Sequence, residues 1–169
     1  MPTIEVPVSR LSVVSSRPFD EVVARLTATI GRPDMIAFQK ALAVAANLDE
    51  LRQVVEAAIG SSQLMEFARF DSGSVLRKEG GRSSPRILRL VVGNPLIMKE
   101  MVRFVPDAAS YAPVTLLIDE RADGVHLSYD TMSSLIAPYG SEAALAVATD
   151  LDEKITGLLE SAANQRISI

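Results

Sequence analysis

Pro113–Asp119 reads PVTLLID, Val125–Tyr129 reads VHLSY, and Glu120–Gly124 between them reads ERADG. Both flanks are rich in β-branched and large apolar residues that fit a pleated surface, and Asp123-Gly124 is a common hairpin-turn signal. The stretch predicts an antiparallel hairpin, the clearest pairing in the chain. Successive strand side chains point to opposite faces, so His126 lies opposite Val125, Leu127 and Tyr129.

Working outward, Arg86–Val92 is a near-continuous apolar strand that ends in Gly93-Asn94-Pro95. Asn94 suits an N-cap and Pro95 the first helical position, so a short helix carrying Leu96, Ile97, Met101 and Val102 follows, ending before Pro106. Leu64–Phe70 reads as another strand. Between the two, Asp71–Pro85 is rich in Gly, Ser and basic residues with little periodicity, and is expected to be a long exposed loop. After the hairpin, a short segment around Ser133–Ala137 leads to Ser141, which caps a long helix with Leu145, Ala148, Leu151, Ile155, Leu158, Leu159 and Ala162 on one stripe. Such a stripe is core, with an intersubunit seam as the sharper alternative.

Toward the N-terminus, Arg10–Ser15 reads as a strand, and Phe19, Val22, Val23, Leu26 and Ile30 predict a helix capped by Ser16 or Asp20 and stopped by Gly31. Residues 32–63 hold two more helices. The first opens at Pro33-Asp34; the second opens at a capping box of Asn47 and Glu50 and stops at Gly60. Strands and helices in this mixed order predict an α+β two-layer sandwich, an antiparallel or mixed sheet with helices packed mainly on one face. One domain is expected over 1–169, with residues 32–63 as a helical insertion.

Composition removes several function classes. The chain has 169 residues, 48% hydrophobic content, no Cys and a formal net charge of −4. Without Cys there are no disulfides, thiolate nucleophiles or Cys-ligated metals. The acidic balance argues against a nucleic-acid binder that works through a general basic surface. Ile87–Val105, the most apolar stretch, is broken by Arg89, Lys99, Glu100 and Arg103 and cannot cross a bilayer. Polar residues and Pro7 stand where an export signal would need an apolar block, so a cytoplasmic location with no membrane partner is expected.

Leu90-Val91-Val92-Gly93-Asn94-Pro95, then Val105-Pro106-Asp107, Ala112-Pro113 and Asp123-Gly124-Val125 through Ser128-Tyr129 occur in an order that resembles the domain of unknown function 302 family. The resemblance runs from Met65 to Ala163, and the strand-to-helix entry at Ser15–Ile30 also fits. It implies a compact, often self-associating α+β sandwich with no established activity. The chain departs from the family in two places. Residues 32–63 intervene where the family passes quickly from helix to strand. The family's Asp-His after the second strand is here Asp71-Ser72, so any role for that His does not carry over.

Residues that could carry chemistry are few. His126 is the sole His and cannot form a multi-His metal site. As a general base it would need a nucleophile and an orienting carboxylate beside it, and Ser128 and Asp130 share its face. Asp119, Glu120, Asp123 and Asp130 match no calcium loop and read as turn-forming, solvated acids. Arg77, Lys78, Arg82, Arg86 and Arg89 surround Gly80-Gly81 and could cradle an anion. Asn94 caps a helix whose N-terminus is also suited to an anion. Ser133, Ser134 and Tyr139 lack a hydrolase motif. The ligand-binding candidates are therefore Asp71, Arg82, Arg86, Asn94, His126 and Tyr129. The expected function is a non-catalytic, self-associating module, a homodimer holding a small apolar or anionic ligand with no cofactor, no metal and no nucleic acid. The alternative is an enzyme acting on a small anionic metabolite, with Arg82 or Arg86 holding the anion and Asp71 or His126 moving a proton.

Overall fold

Five strands, Arg10–Ser15 (β1), Met65–Asp71 (β2), Ile87–Gly93 (β3), Val114–Arg121 (β4) and Gly124–Asp130 (β5), form one sheet in the order β1-β5-β4-β3-β2. Every neighbouring pair is antiparallel, so the expected α+β layering holds with an antiparallel rather than a mixed sheet. The computed structural model describes residues 3–81 and 84–163.

The hairpin between β4 and β5 pairs Leu116 with Tyr129, Ile118 with Leu127 and Arg121 with Gly124. The turn itself therefore falls on Ala122 and Asp123. Gly124 is needed for two other reasons: its φ is +142°, and a Cβ there would sit 2.6 Å from the Ser15 carbonyl oxygen at the end of β1.

Helices Phe19–Thr27 (α1), Pro95–Val102 (α5), Met132–Ile136 (α6) and Glu142–Ala163 (α7) share one core with Val13, Leu88, Leu90, Leu116, Ile118, Leu127 and Tyr129 of the sheet. Along α7, Ala144, Ala148, Leu151, Ile155, Leu159 and Ala162 are buried at steps of three and four, so its apolar stripe is core. No side chain caps α1: Pro18 holds the N-cap position, and Asp20 instead sits in the first turn, where a carboxylate favours the helix dipole.

Met35–Val44 (α2) and Leu48–Ala58 (α3) build a second, smaller cluster of Phe38, Val55, Ala58 and Met65, flanked by Leu42, Phe67 and Leu96. Their caps are those legible in the sequence. Asp34 accepts from the amides of Ile36 and Ala37, and Asn47 from those of Asp49 and Glu50, while the Glu50 carboxylate reaches back to the Ala46 amide. At the base of the pair, the Gly31 and Gly60 amides both donate to the Leu64 carbonyl, at 2.9 and 3.0 Å. Side chains are excluded there, since a Cβ on Gly31 would meet the Ala58 oxygen at 2.0 Å and one on Gly60 the Thr29 oxygen at 2.1 Å.

The expected loop at Asp71–Pro85 contains a helix, Gly73–Gly80 (α4). Its apolar residues, Val75 and Leu76, are both exposed, so it has no buried stripe for periodicity to reveal. Its first turn is held from outside: Asp71 Oδ1 accepts the Ser74 amide, Ser74 Oγ donates to the Asp71 carbonyl, and Arg77 pairs with Asp71.

One carboxylate joins three elements. Asp152 on α7 accepts the Tyr129 hydroxyl at 2.6 Å and the amides of Met132 and Ser133 at 2.7 and 3.0 Å, acting as a distant cap for α6. Burial first, and the bond to Asp152 second, push the Tyr129 hydroxyl above the usual phenol range. Asp152→Ala is expected to cost about 3 kcal/mol because it strands the Ser133 amide and a buried hydroxyl and leaves the Met132 amide only the Tyr129 oxygen at 3.1 Å, whereas Tyr129→Phe costs about 1 kcal/mol. Urea denaturation measures both, and equal losses would show that the amides of α6 do not depend on Asp152.

Candidate functional site

A half-open pocket of about 210 Å³ lies where the two hydrophobic clusters meet. Leu42 of α2 and Phe67 of β2 come from the smaller cluster; Met101 of α5, Val114 of β4 and Leu151 of α7 come from the main core. The Gly93-Asn94-Pro95 turn and the Ala112-Pro113 segment complete it, the latter through a cis peptide bond. Gly93 is required by close approach, because a Cβ there would lie 3.0 Å from Pro113 Cβ and 3.6 Å from the Phe67 ring. Asn94 is the sole polar side chain in the lining. Its amide oxygen accepts from Leu96 N at 2.8 Å and its nitrogen donates to the Gln63 carbonyl at 2.9 Å. Both ends of Asn94 are thus spent on backbone, which leaves the pocket with apolar chemistry.

Asp71 and Arg86 share a different cleft, of about 660 Å³, at the end of the sheet beside α1 and α4. Arg86 bonds Glu120 and Asp20, both at 2.8 Å, and stacks 4.5 Å over the Phe19 ring. Its pKa is raised well above the ordinary arginine value, first by Glu120. Asp71 is engaged by Arg77 and the Ser74 amide, and Arg69 by Glu66. Each cation in the cleft already has a carboxylate, so an incoming anion would have to displace one. Arg82 lies outside the described residues.

His126 and Tyr129 point to opposite faces of β5, as strand alternation requires. Tyr129 is 1% exposed with its hydroxyl on Asp152, a structural role. His126 faces away from the helices, with Nε2 2.8 Å from Asp123 Oδ1. Asp71 and Arg86 are therefore not brought together with His126. Of the four hairpin acids, Asp123 is the exposed turn residue expected, with a hydrogen bond to His126, whereas Asp119 pairs with Arg121, Glu120 with Arg86 and Asp130 with Arg10. Among the described residues no group of His, Asp and Glu side chains could hold a metal ion.

Sequence reasoning passed over Leu42, Phe67 and Asp152. Each looks like an ordinary core or helix-surface residue, and only tertiary contact gives it a place. The Arg86–Glu120 pair has a pH signature. Arg86, chiefly by its hydrogen bond, lowers the Glu120 pKa from 4.5. Because the folded value lies below the unfolded one, the contribution is full above pH 4.5 and is lost as pH falls through the folded value. Glu120→Gln should lower stability at pH 7 by up to about 1 kcal/mol, since the pair is about one-third exposed, and should flatten the acid limb of a stability–pH curve. An unchanged acid limb would show that the pair carries none of the linkage.

The model of the family described as Domain of unknown function DUF302 matches residues 40–162. The match begins within the segment read as an insertion. No curated protein matches the chain. Among solved structures, the crystal structure of an uncharacterized conserved DUF302 protein from Bacillus stearothermophilus superposes with a TM-score of 0.62 at 14% identity, over 90% of this chain and 97% of that one. At that identity the likeness speaks to the fold alone, and no helix among the described residues is long and apolar enough to cross a membrane. With the family match spanning well over half of its length, the chain belongs to the DUF302 family.

Proposed function

We propose that this protein is a non-catalytic module that binds a small, uncharged, apolar molecule in the pocket between α2 and α5. The observation that carries this reading is a pocket of about 210 Å³ whose one polar side chain, Asn94, is already bonded at both ends. A ligand there gains from leaving water and finds no polar partner. An apolar cavity of roughly 150 Å³ accepts benzene, so this one suits a substituted ring of about eight heavy atoms. Catalysis on an anionic metabolite has less support, because Asp71 and Arg86 line a cleft of paired charges whose lining does not include His126, which points to the other face of the sheet.

Ethylbenzene is a suitable probe. Burying roughly 200 Å² of its surface at about 25 cal/mol per Å² gives about 5 kcal/mol, a Kd near 0.2 mM. Titration calorimetry should detect this affinity in the wild type, and Leu42→Trp, which fills the rim from α2, should abolish it while the thermal transition is retained. Uptake by neither protein, or by both alike, rejects the reading.

Self-association is favoured by a separate feature. Ile36 and Val44 on the outer side of α2 are 68% and 78% exposed, on an i, i+4, i+8 ridge with Lys40 between them. Sedimentation should show a dimer that Val44→Glu converts to monomer; a monomeric wild type removes this part of the proposal.

A further inference from the structure

Where the sheet face away from the helices reaches Tyr111 and the α6 residue Leu135, another pocket of about 410 Å³ opens beside β3, β4 and β5. Its floor belongs to a cross-strand row in which Ser12, Ser128, Leu117, Arg89 and Phe70 are neighbours on successive strands. Arg89 differs in its surroundings from nearly every other described arginine. Nine of them, Arg10, Arg17, Arg32, Arg52, Arg69, Arg77, Arg86, Arg103 and Arg121, have a carboxylate within ion-pair range. Arg25 donates instead to the Ser161 carbonyl. Arg89 has neither kind of partner among the described residues. Its Nη2 lies 3.3 Å from Thr115 Oγ1, and its guanidinium carbon sits 5.5 Å from the Phe70 ring centroid.

A guanidinium has five N–H donors, and one hydroxyl satisfies one of them. Held by Thr115 and by the ring, the group is positioned before any ligand arrives, in a chain whose net charge is −4. The nearby Arg10 adds no net charge, because Asp130 takes it in two bonds of 2.6 and 2.8 Å. One uncancelled positive charge fits a monoanion. Leu117, Tyr111 and Leu135 provide an apolar wall beside it.

We propose that this face is a second binding site, for a monoanion with an apolar body: Arg89 and the Thr115 hydroxyl hold the anionic group, and the body lies over Leu117 toward Tyr111 and Leu135. The anion-holding part of the site, Arg89 and Thr115, lies on the outer sheet face, and the site shares only Val114 with the lining of the apolar pocket.

The probe is 2-naphthoate, with its uncharged isostere 2-naphthamide, in titration calorimetry on the whole chain. Charge-assisted bonds to a guanidinium predict that Arg89→Gln weakens naphthoate binding at least about tenfold, and that naphthamide binds the wild type no better than naphthoate binds the variant. Thr115→Val should weaken naphthoate binding in the same direction, and thermal melts check that both variants fold. Four results overturn the assignment: no naphthoate uptake by the wild type at millimolar concentration, equal affinity in Arg89→Gln, equal affinity for naphthamide, or displacement of naphthoate by ethylbenzene. A dimer that Arg89→Glu splits, with no naphthoate uptake, would assign the face to a second copy and would also overturn it.

Discussion

Alternation along the two central strands constrains everything built around them. With Val125, Leu127 and Tyr129 turned toward α7, the residues between them, His126 and Ser128, must face the other way, and the cross-strand register passes the same division to β1, β4 and β3. Slipping one residue would bring His126 and Asp119 into the core and send Leu127 and Ile118 to the outside. Asp152 reinforces the chosen register from the helix side, since it reaches Tyr129 only when that residue points inward. The chemistry of the molecule is divided accordingly, with apolar and ion-paired hollows on the helix side and an uncompensated arginine on the other.

The sequence made legible what depends on neighbours a few residues apart. The β4–β5 hairpin, the stripe on α7, the Asn47–Glu50 box and the cap at Asn94 are all set by spacings of two to four residues, and all are present. The helix at Gly73–Gly80 was hidden because it buries no stripe and its stabilising partner, Asp71, lies outside it. Gly124 reads as a turn residue in the sequence, yet its need comes from a φ of +142° and from Ser15, on a strand more than a hundred residues earlier.

The candidate pockets were the least legible part. The apolar pocket draws on α2, β2, the β3–α5 turn with α5, the Ala112-Pro113 segment with the start of β4, and α7, and no local pattern marks five distant segments as neighbours. Its position has a packing explanation. Where two separately organised clusters meet, their side chains are fitted mainly to their own neighbours, and the seam is where close packing is hardest to complete. The pairing of Asp130 and Glu120 was hidden in the sequence for a related reason: their partners, Arg10 and Arg86, are brought in only by strand pairing or by the start of a neighbouring strand.

The crossing at Gly31 and Gly60 has a consequence for how the chain tolerates change. Both amides end on the single carbonyl of Leu64, so the excursion through α2 and α3 leaves and returns at nearly one point. A segment whose ends already touch exerts little pull on what it leaves, and the entropy of closing it rises only slowly with its length. A change of length between Gly31 and Gly60 therefore adds little closure cost, so long as Phe38, Val55 and Ala58 keep their packing against Met65 of β2. The wall that Leu42 contributes thus hangs on that small cluster and on one backbone crossing rather than on the pairing of the sheet.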